Sequence, residues 1–600
     1  MEMDSLRATI LSAASAAFLL LPPVSAEAFE TTLTTPNVSE ELRSTLAAAS
    51  SLIGIGAAQL ETPQEVLAAA RSDYRTLVQV LYDAGYFGPD VRIRMDGREV
   101  ASIPPLETPA KVTRVEIVVE PGNPFKFGTA RIAPLPPAAI LPKRFKSGAD
   151  ASTGAIQEAT TAGRNAWRDQ GHAKAKVGPQ FITANHTTSV IDADIELIPG
   201  PELKFGSMKI TGETDVNEDA IQRIAGFPSG VRFSPELVQK VGTRLRRTGT
   251  FSTVALREAE TPNPDGTLDF TAQLEDQPKR RLSFGAEISS NEGLDISADW
   301  MHRNLFGNAE KLRFEARVTG LGGDGDIGGR IGLRLDRPDK FGPDDSMYYL
   351  IEGEILDEEH YKALRALIGV GIRRQFSDDL FGEAAIVGFY VDADDVFGER
   401  QFSYLGLPFR AERDKRNNKI SATSGNFLSA TFMPFAGIET VPSGAHLVAD
   451  GRYYHSLDAG GRYVLAGRVQ VGSVIGPDLN ELPPTLLFYS GGAGSVRGHP
   501  YESLGIPING GTAGGRSYLA ASGEIRGYVT EKIALVGFYD IGFIGTEAFI
   551  DDSAESHAGA GIGLRYDLAG FGPLRLDIAT PVSGDTDDGI QFYIGIGQAF

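Results

Sequence analysis

From Arg280 to the end of the chain, apolar and polar residues alternate in short runs broken by Gly, Asp, Asn and Pro. A period of two belongs to β-strands with one apolar and one wetted face. The first run sets Leu282, Phe284, Ala286 and Ile288 against Ser283, Gly285 and Glu287. The last sets Phe592, Ile594, Ile596 and Phe600 against Tyr593, Gly595, Gly597 and Ala599. A terminal ribbon of this kind, with no later residue to cover its greasy face, is expected to be covered by lipid. At about 20 residues per tilted strand with its share of loop, residues 279–600 predict an antiparallel transmembrane β-barrel of about 16 strands. A soluble β-sandwich is the weaker reading, since it has to bury both terminal strands.

Upstream, over residues 27–278, the period changes to a mixture of helix and strand. A strand is expected around Phe205 to Ile210, then a helix from Asn217 with Ile221, Ile224 and Ala225 on one face and Gly226 at its end. Ser234 and Pro235 open a second helix whose apolar stripe is Leu237, Val238, Val241 and Leu245. Two strands follow, Phe251 to Leu256 and a second through Leu268, Phe270, Ala272 and Leu274, with Asn263-Pro264-Asp265-Gly266 turning between them. The order is β-α-α-β-β.

This unit repeats. Pro121-Gly122-Asn123-Pro124-Phe125-Lys126-Phe127-Gly128 returns 78 residues later as Pro199-Gly200-Pro201-Glu202-Leu203-Lys204-Phe205-Gly206. A helix-closing glycine keeps the same spacing at Gly171 and Gly249, with an earlier copy at Gly85. A fixed period implies three α+β units. The expected organisation is a leader at 1–26, units at 27–119, 120–201 and 202–278, and the barrel at 279–600.

The leader is read from the apolar run Ala8 to Leu21 after Arg7, followed by Val24-Ser25-Ala26 as a cleavage site before Glu27. Composition then removes several classes of function. No apolar stretch beyond the leader is long enough for a membrane helix. With no cysteine there are no disulfides, zinc thiolates or cysteine nucleophiles, and a net charge of −21 leaves no basic stripe for nucleic acid. The eight histidines lack H-E-x-x-H spacing and no G-x-S-x-G occurs, so no catalytic residue, cofactor or metal is expected. Gly559, Gly561 and Gly563 read as the smooth inner face of a strand. Asp324, Asp326, Asp392, Asp394 and Asp395 read as solvated loops in preference to cation sites.

Between two strand-like segments lies Gly491-Gly492-Ala493-Gly494-Ser495-Val496-Arg497-Gly498-His499-Pro500-Tyr501. Here the chain resembles the Omp85 superfamily of outer-membrane assembly and translocation proteins, whose sixth extracellular loop carries V-R-G-F/Y and folds back into the barrel. Val496, Arg497 and Gly498 match that motif, His499 stands in its aromatic position, and Pro500 and Tyr501 follow. Phe538-Tyr539-Asp540-Ile541-Gly542 resembles the family's F-x-D-x-G strand motif. A guanidinium in a confined lumen needs carboxylates. Alternation supplies Glu524, opposite the apolar Leu519, Ala521 and Ile525, and Asp540, opposite Leu535, Tyr539 and Ile541. Arg497 is therefore expected to pair with both, with Arg526 as a competitor.

Three POTRA-like units before a barrel are similar to the TamA branch of the superfamily. The resemblance implies an outer-membrane barrel with its units in the periplasm, in contact with outer-membrane lipid. It also implies client outer-membrane proteins such as autotransporters, and a TamB-like inner-membrane partner. Clients are expected to enter lipid through the seam between Leu282 to Ser290 and Gln591 to Phe600, weakened by Gly595 and Gly597. A BamA-type insertase or a two-partner secretion translocator is the alternative, a passive porin or a soluble binding module a more distant one.

Overall fold

The computed structural model describes residues 29–596 except 37, 55–59, 61, 105–106, 108, 138, 290–292, 323–326, 439–440, 459, 509, 569–571 and 585–588. The side chains of residues 286–289, 293, 572 and 596 are also outside this description. The expected leader, Asp324, Asp326, Gly597 and Phe600, and the side chains of Ala286, Ile288 and Ile596, thus lie outside the described residues.

The chain forms two compact units, the first running to Lys204 and the second holding nearly all that follows. In the first, β1 (Glu30–Thr34), α1 (Glu40–Ala49), α2 (Pro63–Asp83), β2 (Asp90–Met95), β3 (Arg98–Glu99) and β4 (Arg114–Glu120) make one α/β layer pair. β1 runs parallel to β4, and β2 antiparallel to it. A capping box between Thr62 and Glu65, with Pro63 at the first helical position, starts α2. Its stripe of Val66, Leu67, Ala70, Leu77 and Leu81 is buried on the sheet. A second layer pair follows from β5 (Lys126–Ala133), α3 (Thr153–Asp169), β6 (Lys176–Asn185) and β7 (Val190–Ile198).

That second repeat has one long helix where the sequence pattern suggested two. Pro134, Pro136, Pro137 and Pro142 fall between β5 and α3, and prolines remove the amide donors and block the φ/ψ run that a helix needs. Gly85, Gly171 and Gly249 all take positive φ, +94°, +88° and +65°, in the turn after a helix. This left-handed geometry is why glycine recurs there.

The second unit opens with β8 (Lys204–Glu213), α4 (Glu218–Ala225), α5 (Pro235–Arg247), β9 (Phe251–Glu258) and β10 (Thr267–Asp276). Gly226 closes α4 at φ +54°. Asn217 precedes α4 without a side-chain cap bond; its N–H instead donates to the carbonyl of Gly307, in a turn of the large sheet. Other contacts reach the same end of that sheet. Arg303 donates to the carbonyls of Gly249 and Pro278, both at 2.9 Å. Arg244 on α5 grips Asp344 with two bonds of 3.0 and 2.6 Å, and Arg223 meets Asp339 at 3.0 Å.

The large sheet is antiparallel and runs in sequence order from β11 (Arg280–Ser289) to β29 (Gln591–Ile596), with a small hairpin, β23 (Ile506–Ile508) and β24 (Gly511–Ala513), set apart from it. Among the described residues seventeen strands make it up. β18 (Gly398–Gly406) and β19 (Phe409–Asp414) are two halves of one pass, since both lie between β17 (Leu380–Asp395) and β20 (Gly425–Gly437). Pro408, which has no N–H for a ladder, separates them. The expected sixteen passes are therefore present among the described residues. Leu282, Phe284, Ile331, Ile368, Leu535 and Phe592 stand exposed on the outer face, which is a wall built for lipid.

Candidate functional site

The longest connection in the barrel joins β22 (Tyr463–Ile475) to β25 (Ser517–Tyr528), and it turns inward. Val496 and His499 are fully buried, Arg497 is 4% exposed, and Tyr501 at the far end is exposed. Three neighbouring strands receive this loop: β26 (Ile533–Gly545), β27 (Glu555–Leu568) and β28 (Gly572–Ser583).

Alternation along β25 and β26 turns Glu524 and Asp540 inward while Ile525, Leu535 and Tyr539 face out. Arg497 meets both carboxylates. Its Nε and Nη2 donate to the two oxygens of Asp540 at 2.7 and 2.9 Å, and its backbone N–H adds a third bond to Asp540 at 3.1 Å. Nη1 reaches Glu524 at 2.8 Å. The Arg497 guanidinium also lies 3.5 Å from the centre of the Phe538 ring. This planar fork on a planar carboxylate, backed by an aromatic face, is geometry that lysine cannot reproduce. Arg526 binds the other oxygen of Glu524 at 2.8 Å.

Three members of the cluster were not among the expected residues. Asp577 on β28 accepts from Arg497 Nη1 at 3.3 Å, and Arg565 on β27 pairs with Asp577 and reaches Glu524 at 3.5 Å. Arg575 adds a 3.8 Å contact to Asp577. The signal was available in the alternation of Leu574, Leu576 and Ile578 with Arg575, Asp577 and Ala579. Four guanidiniums thus share three carboxylates, and each carboxylate is fully buried.

The glycines of β27 make room for the loop. A Cβ at Gly559 would lie 1.8 Å from the carbonyl oxygen of Arg497, one at Gly561 2.4 Å from the Phe538 ring, and one at Gly563 2.0 Å from Asp577. Gly498 itself sits at φ +98° against the Thr580 carbonyl. Beside it, His499 packs at a tilt on His557 with ring centres 4.3 Å apart and bonds the Ala558 carbonyl at 2.9 Å, while His557 bonds Ser490 at 2.8 Å. The histidine in the aromatic position keeps a ring contact and adds a polar one.

The last strand also touches the loop. Tyr593 on β29 takes a hydrogen bond from the Gly498 N–H and gives one to the His499 carbonyl. At the seam, Leu282, Phe284, Phe592 and Ile594 face outward. β11 and β29 lie side by side, yet among the described residues no ladder joins them. Asp392, Asp394 and Asp395 occupy the end of β17 and not a loop: Asp395 pairs with Arg400 and accepts from the Phe397 N–H, and Asp392 accepts from Gln401.

Residues 304–600 match the Omp85 superfamily domain. The outer membrane protein assembly factor BamA of Neisseria meningitidis serogroup B is 22% identical over 512 residues, covering 73% of this chain. The chain spans only 61% of that relative's length. Among solved structures, BamA from Haemophilus ducreyi lacking POTRA domains 1–3 aligns with a TM-score of 0.61 at 18% identity, over 79% of this chain and all of that one. CdiB from Acinetobacter baumannii aligns with a TM-score of 0.51 at 12% identity, over 79% of this chain and 90% of that one. These likenesses are of fold: POTRA-like units followed by a barrel.

Proposed function

Through residues 304–600 this chain is a member of the Omp85 superfamily, and from that membership we propose that it assembles or translocates proteins at the outer membrane. It is an outer-membrane barrel with its POTRA-like units in the periplasm. The work is non-covalent: an incoming strand pairs with the edge exposed at the seam and passes sideways into lipid. The observation that carries this reading is the junction of β11 and β29, neighbours that lack a ladder among the described residues while the strands on either side are joined to theirs. Gly595 weakens the join further, because it has no side chain to pack across it.

The three units favour the TamA-like form of this activity, with autotransporter-type clients and a TamB-like inner-membrane partner. The second reading is a BamA-type insertase, supported by the name of the Neisseria relative. Purification from native membranes separates them, since a very long β-rich inner-membrane companion belongs to the first alone.

The mechanism is tested by a disulfide between cysteines placed at Leu282 and Ile596, in a chain that has no cysteine of its own. Sealing is expected to stop client insertion and reduction to restore it. Insertion that continues through a sealed seam rules out the lateral route.

A further inference from the structure

At the periplasmic end of the barrel, between α5 and the inner wall, lies a polar cavity of about 360 Å³. Its lining is richer in cations than in carboxylates, in a chain whose net charge is −21. Four carboxylates line it and each already has a cation, Asp345 meeting Arg374 from outside the lining at 3.5 Å. Asp344 serves both Arg244 and Arg247 from α5. Glu383 serves Arg373 at 3.2 Å and Arg334 at 3.6 Å, and Asp336 is held by Arg334 at 2.9 Å.

Lys311 and Arg313, on β13 (Lys311–Leu321), complete the wall. Among the described residues neither has a carboxylate within ion-pair distance. Asp336 faces Lys311 across the ladder but is engaged by Arg334. Arg313 stands directly opposite Arg334 of β14 (Gly328–Pro338), and Arg317 stands opposite Arg330 in the same ladder. Like charges at directly opposed positions destabilise a sheet unless something of opposite sign lies between them.

We infer that this cavity binds a phosphate group, either as inorganic phosphate or as the headgroup of a phosphomonoester lipid such as phosphatidic acid. Two cations without carboxylates match the two negative charges of a phosphomonoester. Guanidinium forks suit its tetrahedral oxygens, and lysine adds a point charge. The volume exceeds what a bare phosphate fills, leaving space for a headgroup. This site is independent of how the seam operates.

The test uses the full-length protein in a neutral detergent, titrated with inorganic phosphate by calorimetry and with phosphatidic acid by native mass spectrometry. Phosphatidylcholine serves as the lipid control. Wild-type protein is expected to bind, and K311Q/R313Q to bind at least about 10-fold more weakly, the equivalent of about 1.4 kcal/mol, while its heat-modifiable migration is unchanged. If the double variant fails to fold, R313Q alone is expected to give a partial loss. Binding of both probes identifies the phosphate itself as the ligand; binding of phosphatidic acid alone identifies the headgroup. No binding by either probe, equal binding by wild type and variant, or displacement by a peptide carboxylate at the same concentration overturns the assignment.

Discussion

The hydroxyl of Tyr593, on the last strand, donates to the carbonyl of His499 at 3.1 Å and accepts the neighbouring Gly498 N–H at 3.0 Å. One phenol therefore ties the inserted loop to the strand that forms one side of the seam. Tyr593→Phe removes both bonds while keeping the ring. Each bond contributes about 0.5–1.5 kcal/mol, so the variant is expected to lose about 1–3 kcal/mol of loop anchoring. Limited proteolysis at the exposed Ala493 and Gly494 reads this as faster cleavage. Unchanged cleavage means that the tie carries no weight.

The arginine cluster makes an asymmetric prediction. Arg497→Ala leaves the buried Asp540 without its cation and takes one of three from Glu524, and breaking such a buried pair costs about 3–5 kcal/mol. Arg497→Lys is expected to recover only part of that, because lysine cannot span both oxygens of Asp540. Asp577→Asn takes the carboxylate from Arg575 and leaves Arg565 only its 3.5 Å contact to Glu524, and adding Arg565→Gln to it is expected to cost less than the sum of the single changes. The midpoint of heat-modifiable gel migration measures all four, and additive losses would show that the side chains do not act as a unit.

Gly559→Ala is expected to displace the loop, since its Cβ would collide with a backbone oxygen that has no room to move. Gly537→Ala on the facing strand is the control, because a Cβ there meets no atom within 4 Å. A surface-accessibility assay of the 491–501 loop should separate the two, with only the first variant changed. Equal behaviour would remove the steric role given to the β27 glycines.

The periplasmic contact is pH-dependent with a defined sign. Hydrogen bonds from Arg244, opposed by burial and reinforced by Arg247, hold the Asp344 carboxyl down to about 2. Its ordinary value is about 3.9. A depressed folded-state pKa stabilises above the unfolded value and ceases to do so as pH falls through the folded one. The protection of the α5 amides, taken relative to the intrinsic exchange rate at each pH, should thus be high and constant above about pH 5 and fall as pH drops from about 4 toward 2. In Asp344→Asn, protection is expected to be low already at neutral pH; a wild-type protection that does not change with pH contradicts the contact's role.

Faces were legible in the sequence wherever one period ran unbroken. Alternation alone placed Glu524 and Asp540 on the inner wall, and the resemblance to the Omp85 loop motif placed Arg497 in the loop that reaches them. Asp577, Arg565 and Arg575 do not stand out in the sequence, because glycines dominate β27 and no motif marks the charged positions of β28. The repeat period located three helix-closing glycines. It did not show that the prolines of 134–142 replace a helix in the second unit, because spacing records where units recur and not what fills them. Pro408 likewise splits a pass without changing the number of passes, a distinction that residue counting along the chain does not make.

Arg303 clasps the third repeat at Gly249 and the linker at Pro278 from β12 (Gly293–Arg303), whose ladder partner is β11. Load carried by the third repeat is therefore divided, part passing through Arg303 to a strand one place from the seam and part through Arg223 and Arg244 to the turn that follows β14.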